Sequence, residues 1–239
     1  MAAPAVRKRR RDGRLPNQVR PFAAEQGLLN RADGSARFAQ GNTMVLAAVY
    51  GPGPAKSMRA EKPNSANLEV LFRPQKGIPG PVEAERELFL RRSLEEAVVL
   101  ANYPRTVVSV IIQVIADDGA VLSAALNAAS LALVNAGVDM THLPLSAACC
   151  IAKDPDRAVV LDPTLAEEAA ASATTVTATL SGAGAAGDDG VLSCRAVGAM
   201  TREEYFACCE AAARGADAVR SFVRLSMEQK VRREVETIR

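Results

Sequence analysis

One strand, turn and helix constrain the fold of this chain more than any other stretch. Residues Thr106–Ala116 are apolar and rich in β-branched side chains, which predicts a strand buried on both faces. Asp117, Asp118 and Gly119 break the apolar run. The next stretch, Ala120–Ala136, is rich in Ala and Leu and lacks both Pro and Gly, which predicts a buried helix. The sequence therefore predicts a helix whose start is held in place by a buried strand.

The start of this predicted helix is a candidate anion site. The first N–H groups of a helix have no intrahelical acceptor, and the helix dipole adds partial positive charge at that end. Phosphate groups bind at helix N-termini for this reason. A packed strand and helix without a ligand explains these residues equally well, so the pattern alone leaves both interpretations open.

Acidic residues follow several predicted strands. Asp117 and Asp118 end the central strand, Asp162 ends a later strand, and Glu167 and Glu168 lie in a short helix after it. Carboxylates that converge near a phosphate site can bind Mg²⁺ or act as a general acid. Acids at strand ends and helix starts also serve as turn and cap residues, which is the alternative interpretation.

The basic residues are unevenly distributed. The chain has 29 Lys and Arg residues against 27 Asp and Glu residues, so its formal net charge of +2 excludes a polycation. Basic clusters lie at residues 7–11 and at Lys230, Arg232, Arg233 and Arg239. Such clusters contact phosphate, act as a nuclear address or form solvated tails.

The spacing of the five cysteines argues against two common roles. None has C-x-x-C spacing, which argues against a zinc site, and two adjacent pairs plus one odd thiol do not form a disulfide framework. The pattern predicts small buried side chains in a reducing compartment. These residues are Cys149, Cys150, Cys194, Cys208 and Cys209.

The remaining pattern predicts one mixed α+β domain over residues 22–239, preceded by a basic tail and an opening motif over residues 1–21. No apolar stretch of membrane-spanning length is free of polar residues, so we expect no membrane association. Helices are predicted at Val82–Ala101, after the capping box Thr164–Glu167, and at Thr201–Val231. Further strands are predicted at Ser35–Gln40, Thr43–Tyr50, Asn67–Arg73, Leu145–Lys153, Ala158–Asp162, Ser172–Leu180 and Val191–Val197.

Motifs along nearly the whole chain resemble the RNase PH-type family. Arg11–Arg14 and Asn17–Pro21 resemble the opening motif of that family. Ala32–Ser35 with Gly41–Val45 resembles its first hairpin, and Ala116–Gly119 resembles its phosphate-binding segment. Further details look closest to the RNase PH-like ring subunits of the eukaryotic RNA exosome, namely Leu71–Pro74, Pro104–Thr106 and Val160–Thr164.

The resemblance implies a fold, partners and a location. The fold is the RNase PH fold (ribosomal protein S5 domain 2-like), with mixed sheets packed against helices and a long C-terminal helix. The implied partners are RNA and other RNase PH-like exosome subunits in a six-membered ring, and we expect a homodimer when the chain is isolated. The implied role is 3′-to-5′ RNA processing and decay, including rRNA processing, in the nucleus, nucleolus and cytoplasm.

The chemistry implied by the resemblance is phosphorolysis, in which inorganic phosphate attacks the 3′-terminal phosphodiester and releases a nucleoside diphosphate. Active members hold phosphate with a Gly-Thr-Arg-Ser/Thr stretch, and the matching residues here are Ala120, Val121, Leu122 and Ser123. Leu122 stands in place of the arginine, so the bidentate phosphate contact is missing. Ala120, Val121 and Ser123 remain phosphate-binding candidates, and Leu122→Arg is expected to raise phosphorolysis.

The family also carries two aspartates near the metal and the sugar-phosphate, and these match Glu168 and Thr174. Glu168 is therefore the candidate acid and Mg²⁺ ligand, and Asp162 is a second catalytic candidate. Val82 and Leu88 stand where the family has RNA-binding arginines. The candidate RNA contacts here are instead Gln75, Lys76 and the basic N-terminal run.

Two functional interpretations remain open. One is a structural ring subunit that binds RNA but has an eroded phosphate site. The other is an active nuclease, either phosphorolytic or metal-dependent, that acts as a homodimer. Loss of one charged hydrogen bond, about 1.5–3 kcal/mol, lowers activity without abolishing it.

Overall fold

Helices separate groups of strands along the chain in a computed structural model that describes residues 10, 12–54, 61–153, 157–181 and 190–238. The helices are α1 (Pro81–Ala97), α2 (Val121–Ala136), α3 (Leu165–Ala170) and α4 (Arg202–Ile238). The strands are β1 (Phe22–Gln26), β2 (Gly34–Gln40), β3 (Thr43–Pro54), β4 (Asn67–Arg73), β5 (Thr106–Ala116), β6 (Leu143–Ile151), β7 (Val159–Leu161), β8 (Ala173–Ser181) and β9 (Val191–Gly198).

The first sheet has the strand order β1-β2-β3-β5-β4. Its strands pair antiparallel except for β4 and β5, which run parallel and are joined by the crossover through α1. Val108, Val110 and Ile112 of β5 are buried on the face that α2 covers. The prediction that this strand is buried on both faces is wrong, because Gln113 is exposed and Ile115 is 43% exposed on the other face.

The second sheet is antiparallel, with the order β7-β6-β8-β9. Helix α2 also contacts β6 and β8, so it lies between the two sheets, and this explains why its first 13 residues are all buried. Helix α4 packs on β6, β7 and β8, and it reaches β1 where Phe222 packs against Phe22 with tilted rings whose centroids are 5.6 Å apart. The small side chains of α2 allow this close packing between layers.

The predicted α+β class and element order are confirmed, although β1 was missed. The predicted capping box Thr164–Glu167 forms, and a second one forms at Thr201–Glu204, where the predicted C-terminal helix begins. Hydrogen bonds from Arg157 and from the Thr201 N–H lower the pKa of Glu204 to about 2. Helix α4 extends to Ile238, beyond its predicted end. Most of the basic cluster at residues 7–11, the residues 154–156 between two predicted strands, and Arg239 lie outside the described residues.

The prediction that the five cysteines are buried is confirmed for three of them. Cys149, Cys150 and Cys208 are at most 2% exposed. The prediction is wrong for Cys194 and Cys209, which are only partly buried.

In the described part of the chain, no helix is both long enough and apolar enough to cross a membrane.

Candidate phosphate and nucleic-acid site

The N-terminus of α2 faces helix α3. Ala120 caps α2 in the left-handed conformation with φ 55°, and its N–H donates to Oε1 of Glu168 at 2.8 Å. The first backbone bond of α2 runs from the N–H of Ala124 to the carbonyl of Ala120. The N–H groups of residues 121–123 therefore lie ahead of the intrahelical bonds. The carboxylate of Glu168 thus occupies the end of the helix where an anion would bind.

Two opposing effects act on the Glu168 carboxyl. Burial raises its pKa above the ordinary value, and the nearby charge of Asp117 acts in the same direction. The hydrogen bond from the Ala120 N–H and the charges of Arg20 and Arg86 act in the opposite direction, but the net shift is upward. An upward shift favours the protonated form that a general acid uses. Glu168, the predicted acid, therefore lies at the N-terminus of α2.

Asp162 is held in a buried ion pair. Its side chain is 1% exposed, and Oδ1 lies 2.6 Å from Nη2 of Arg20. Its Oδ2 accepts the backbone N–H of Arg20 at 2.7 Å and lies 3.2 Å from Nη1 of Arg14. Both carboxylate oxygens are therefore occupied by partners within the protein. These contacts place Asp162 in a structural ion pair and argue against its predicted catalytic role.

Arg20 also holds the turn between β5 and α2. Its guanidinium donates to the carbonyls of Asp118 at 2.8 Å and Gly119 at 3.2 Å. The Thr43 hydroxyl donates to the same Gly119 carbonyl at 2.7 Å. Arg20 therefore links the turn before α2 to the loop that leads into α3 at Asp162. This link fixes the position of the Ala120 N–H relative to Glu168.

The described part of the basic N-terminal run contacts the protein itself. Arg10 pairs with Glu167 and donates to the carbonyls of Leu161 and Asp162, and its side chain is 4% exposed. Arg14 bonds to Asp12 and Asp162. The prediction that the N-terminal run contacts RNA is therefore wrong for Arg10, because its guanidinium is already engaged within the protein.

Two residues of the predicted phosphate-binding stretch point into the core. Ser123 is fully buried, and its hydroxyl donates to the carbonyl of Ser146 at 2.8 Å. Its predicted side-chain contact with phosphate is therefore wrong in this arrangement. Leu122 is 6% exposed and belongs to the main hydrophobic core. Leu122→Arg would bury a guanidinium among apolar side chains, so we now expect a loss of stability in place of the predicted gain in phosphorolysis.

The loop that carries Gln75 and Lys76 lies at the same end of the first sheet as the turn before α2. Strands β4 and β5 run parallel, with Arg73 opposite Gln113, so the C-terminal ends of both strands lie at this end of the sheet. The side-chain amide of Gln113 donates to the carbonyl of Pro74 at 3.2 Å, which ties the loop to β5. Gln75 and Lys76 are both exposed. The predicted RNA-contacting side chains are therefore accessible at the end of the sheet where β5 leads into the turn before α2.

Arg86 of α1 is a candidate that sequence reasoning missed. Its guanidinium lies over the ring of Phe72, 5.6 Å from the ring centroid, and its charge acts on the Glu168 carboxyl. In the sequence it is one of several charged residues on the polar face of an amphipathic helix. The packing of α1 against β4 places it over Phe72, and no local sequence pattern separates it from the other charged residues of that face.

The carboxylates near the α2 N-terminus fit Mg²⁺ only in part. Within the described residues there is no group of three or more His, Cys, Asp or Glu side chains that could hold a metal ion. Glu168 with Asp117 provides two carboxylates, and Mg²⁺ usually completes such a set with substrate phosphates and water. These two side chains are the ones that would hold Mg²⁺ together with a bound phosphate group.

Comparisons with known proteins give consistent matches. A family model described as the 3′ exoribonuclease family, domain 1, matches residues 18–139. The Arabidopsis thaliana protein named exosome complex exonuclease RRP46 homolog is 40% identical over 234 residues, which cover 92% of this chain and 96% of the relative. The rice protein of the same name is 37% identical over 232 residues, which cover 92% of this chain and 96% of the relative.

Solved structures match the described fold. The crystal structure of rice Rrp46 superposes with a TM-score of 0.83 at 38% identity and covers 92% of this chain and 100% of that chain. An archaeal exosome core subunit superposes with a TM-score of 0.75 at 22% identity, covering 90% of this chain and 91% of that chain. The archaeal match shows a shared fold alone.

Proposed function

Because this chain belongs to the RNase PH family of 3′ exoribonucleases, we propose that it is an RNA-binding component of an exosome ring with an eroded phosphate site. The predicted family and RNase PH fold are confirmed by the same matches. The proposed role is 3′-to-5′ RNA processing and decay, and it includes rRNA processing. The proposal also includes location in the nucleus, nucleolus and cytoplasm.

The observation that carries this proposal is the hydrogen bond from the Ala120 N–H to Glu168. A phosphate anion would have to approach a helix end that already holds a carboxylate. Leu122 also removes the arginine that active relatives use at this end. One missing charged hydrogen bond costs about 1.5–3 kcal/mol, or about 10- to 150-fold in rate if the bond acts in the transition state. The arrangement therefore favours binding over efficient phosphorolysis.

RNA binding is supported by basic side chains at the end of the first sheet where β4 and β5 terminate. Lys76 and Arg73 are exposed there, and the charge of Arg86 acts to lower the pKa of the Glu168 carboxyl. Cations that contact the phosphate backbone give binding that tolerates sequence and weakens with salt. The small number of such side chains predicts a shallow dependence of affinity on salt.

Lys76→Glu should weaken RNA binding at low salt and reduce the slope of log affinity against log salt by about one unit, because one phosphate contact is lost. Fluorescence anisotropy with a single-stranded RNA measures both quantities. Lys62→Glu is the matched control. Lys62 is also exposed, but it precedes β4 and so lies at the opposite end of that strand from Lys76. Equal losses in the two variants would show a general charge effect and remove this loop from the RNA path.

The second part of the proposal concerns assembly. The chain assembles with other RNase PH-like subunits in the cell and forms a homodimer when isolated. The edge strand β4 is protected, because the carboxylate of Glu87 accepts the N–H of Phe72 at 2.8 Å. Strand β9 ends the second sheet with Val191 and Val197 about half exposed, so it is the better edge for pairing. Light scattering at micromolar concentration should give a dimer mass, and a strict monomer contradicts this part.

Residual nuclease activity is a second candidate function, favoured by the raised pKa of Glu168 beside the α2 N-terminus. Inorganic phosphate would be the co-substrate and Mg²⁺ the metal. Incubation of the purified protein with labelled RNA, with and without phosphate, tests it. A nucleoside diphosphate product identifies phosphorolysis and a monophosphate identifies hydrolysis. If neither product forms while RNA still binds, the chain is a structural subunit.

Glu168→Gln should abolish metal-dependent cleavage and leave RNA binding intact, because the side chain keeps its size and loses its charge. The same change removes the carboxylate that competes at the helix end, so phosphate should bind more tightly. Product analysis and phosphate titration measure the two effects. Glu69→Gln, at an exposed carboxylate of β4, should change neither. Cleavage at the parent rate in Glu168→Gln would leave the nuclease function without its acid.

A further inference from the structure

Helix α3 is held in place by polar contacts. Among the described residues, α3 contributes no side chain to the hydrophobic core, and Leu165 at its start is 50% exposed. The N–H of Leu165 donates to the carbonyl of Asp118 at 3.2 Å, and Glu168 accepts the N–H of Ala120 at 2.8 Å. Elements with few buried apolar contacts open locally at low cost in free energy. The position of α3, and with it that of Glu168, therefore depends on the polar groups that hold this helix.

Arg10 binds α3 from the N-terminal segment. Its Nε donates to Oε1 of Glu167 at 2.8 Å, and its Nη2 donates to Oε2 of the same carboxylate. Its Nη1 donates to the carbonyl of Leu161 at 2.8 Å, and Nη2 donates to that of Asp162 at 2.8 Å. Two parallel bonds from a guanidinium to a carboxylate fix both distance and orientation. One arginine side chain therefore joins α3 to the end of β7.

The segment that carries Arg10 is itself anchored. The N–H of Leu161 on β7 donates to the carbonyl of Pro16 at 2.7 Å. The N–H of Gly13 donates to the carbonyl of Arg10 at 3.0 Å, which closes a turn around the arginine. Arg10 therefore approaches α3 from a fixed position on the second sheet.

The two neighbouring acids of α3 have different roles in this arrangement. Burial acts to raise the pKa of Glu167, but the hydrogen bonds from Arg10 and Thr164 lower it below its ordinary value. Glu167 is therefore ionised at neutral pH, and its contact with Arg10 is an ion pair. The adjacent Glu168 bonds instead to the start of α2. Arg10 can thus act on Glu168 through the helix that carries both acids.

We propose that Arg10 is a positioning residue, which holds Glu168 at the N-terminus of α2 by clamping α3 through Glu167. The inference rests on the proposed function, in which Glu168 occupies the helix end where phosphate would bind. Without the clamp, α3 keeps only its contacts with the turn before α2 and separates from that turn more often. The N-terminal segment thereby controls how often the N-terminus of α2 is open.

The first experiment compares the full chain with its Arg10→Gln variant by nuclear magnetic resonance. Hydrogen exchange of the Ala120 N–H should become at least about 10-fold faster, because a charge-assisted contact no longer opposes opening. The pKa of Glu168 should fall toward its ordinary value, because burial is the main cause of its upward shift. A loss of stability elsewhere in the fold would not change this titration. Unchanged exchange and an unchanged titration overturn the proposal.

Arg157→Gln is the matched control. Arg157 also binds a capping-box acid, Glu204, and donates to a backbone carbonyl, that of Ala199 at 3.0 Å. Its contacts lie at the start of α4, so neither the Ala120 exchange nor the Glu168 titration should change. Equal effects of Arg157→Gln and Arg10→Gln would show a general loss of stability and overturn the assignment.

Glu167→Gln tests the clamp from the other side and replaces Arg10→Gln if that variant does not fold. It removes the charge of the ion pair and keeps a side-chain oxygen for the capping box with Thr164. The Ala120 N–H should again exchange faster and the pKa of Glu168 should again fall. Circular dichroism confirms that each variant is folded. A folded Glu167→Gln variant with the exchange and titration of the parent contradicts the clamp.

Titration with inorganic phosphate separates this inference from the proposed function. Arg10→Gln should raise phosphate affinity, and it should add nothing in the Glu168→Gln background, because both changes open the same helix end. Additive gains overturn the inference. If Glu168→Gln alone leaves phosphate affinity unchanged, the proposed phosphate site is wrong. The Ala120 exchange and the Glu168 titration then still decide whether Arg10 positions the carboxylate.

Discussion

Gly119→Ala should lower the free energy of unfolding by about 2–5 kcal/mol, which combines backbone strain with overpacking. Gly119 has φ +83°, a conformation that side chains rarely adopt. A Cβ there would lie 2.6 Å from the backbone nitrogen of Leu165 and 2.7 Å from the carbonyl oxygen of Pro163. Both are backbone atoms of the segment leading into α3, so neither can rotate away. The turn and α3 would have to separate.

Gly77→Ala is the matched control for this prediction. Gly77 has φ +91°, but a Cβ there would meet no atom within 4 Å. It should therefore cost only the backbone strain, about 1–2 kcal/mol. Urea unfolding of both variants measures the difference. Equal losses would mean that the close approach between the turn and α3 carries no cost.

Separation of the turn from α3 also has a consequence for the site. The N–H of Ala120 follows Gly119 directly, and its acceptor Glu168 lies on α3. Gly119→Ala should therefore weaken the contact that blocks the α2 N-terminus. Phosphate titration of the folded fraction would detect this as a change in affinity that Gly77→Ala does not share.

Arg20→Ala should cost about 3–5 kcal/mol, because it leaves the Asp162 carboxylate buried without its main partner. Arg20 is 6% exposed and Asp162 is 1% exposed, so water cannot replace the lost contacts. The variant also removes the donors to the carbonyls of Asp118 and Gly119. Arg14 remains near the carboxylate at 3.2 Å but reaches only one oxygen.

The comparison for this loss is Arg37→Ala. Arg37 lies 2.6 Å from Glu25, but the two side chains are 38% and 53% exposed. A solvated pair of this kind contributes about 0–1 kcal/mol. Chemical unfolding at neutral pH measures both variants. If Arg20→Ala costs no more than Arg37→Ala, the buried ion pair does not stabilise the fold.

A double variant separates the pair from the rest of the contacts. Replacing both Arg20 and Asp162 by alanine removes the unpaired charge, so its cost should be smaller than the sum of the two single losses. Additive losses would indicate that the two residues stabilise the protein independently. That result would also weaken the argument that Asp162 is structural.

Local patterns were enough to predict most of the elements. The β-branched run at Thr106–Ala116 and the Ala-rich run after it encode a strand and a helix through short-range preferences. Thr164 and Thr201 encode helix starts because their capping partners lie only three residues away. The family motifs are also contiguous, so the fold could be predicted from the sequence and was confirmed by the matches.

Long-range pairing decided the rest of the site. Asp162 and Arg20 are 142 residues apart, and an aspartate at a strand end has the same sequence pattern whether it faces water or a buried guanidinium. The Ser123 hydroxyl is buried because it donates to a carbonyl of β6. Glu168 accepts the N–H of Ala120 because α3 packs against the turn before α2. These outcomes depend on which distant surfaces meet in the folded layers. Local periodicity and capping patterns do not predict those contacts, because they depend only on residues close together in the sequence.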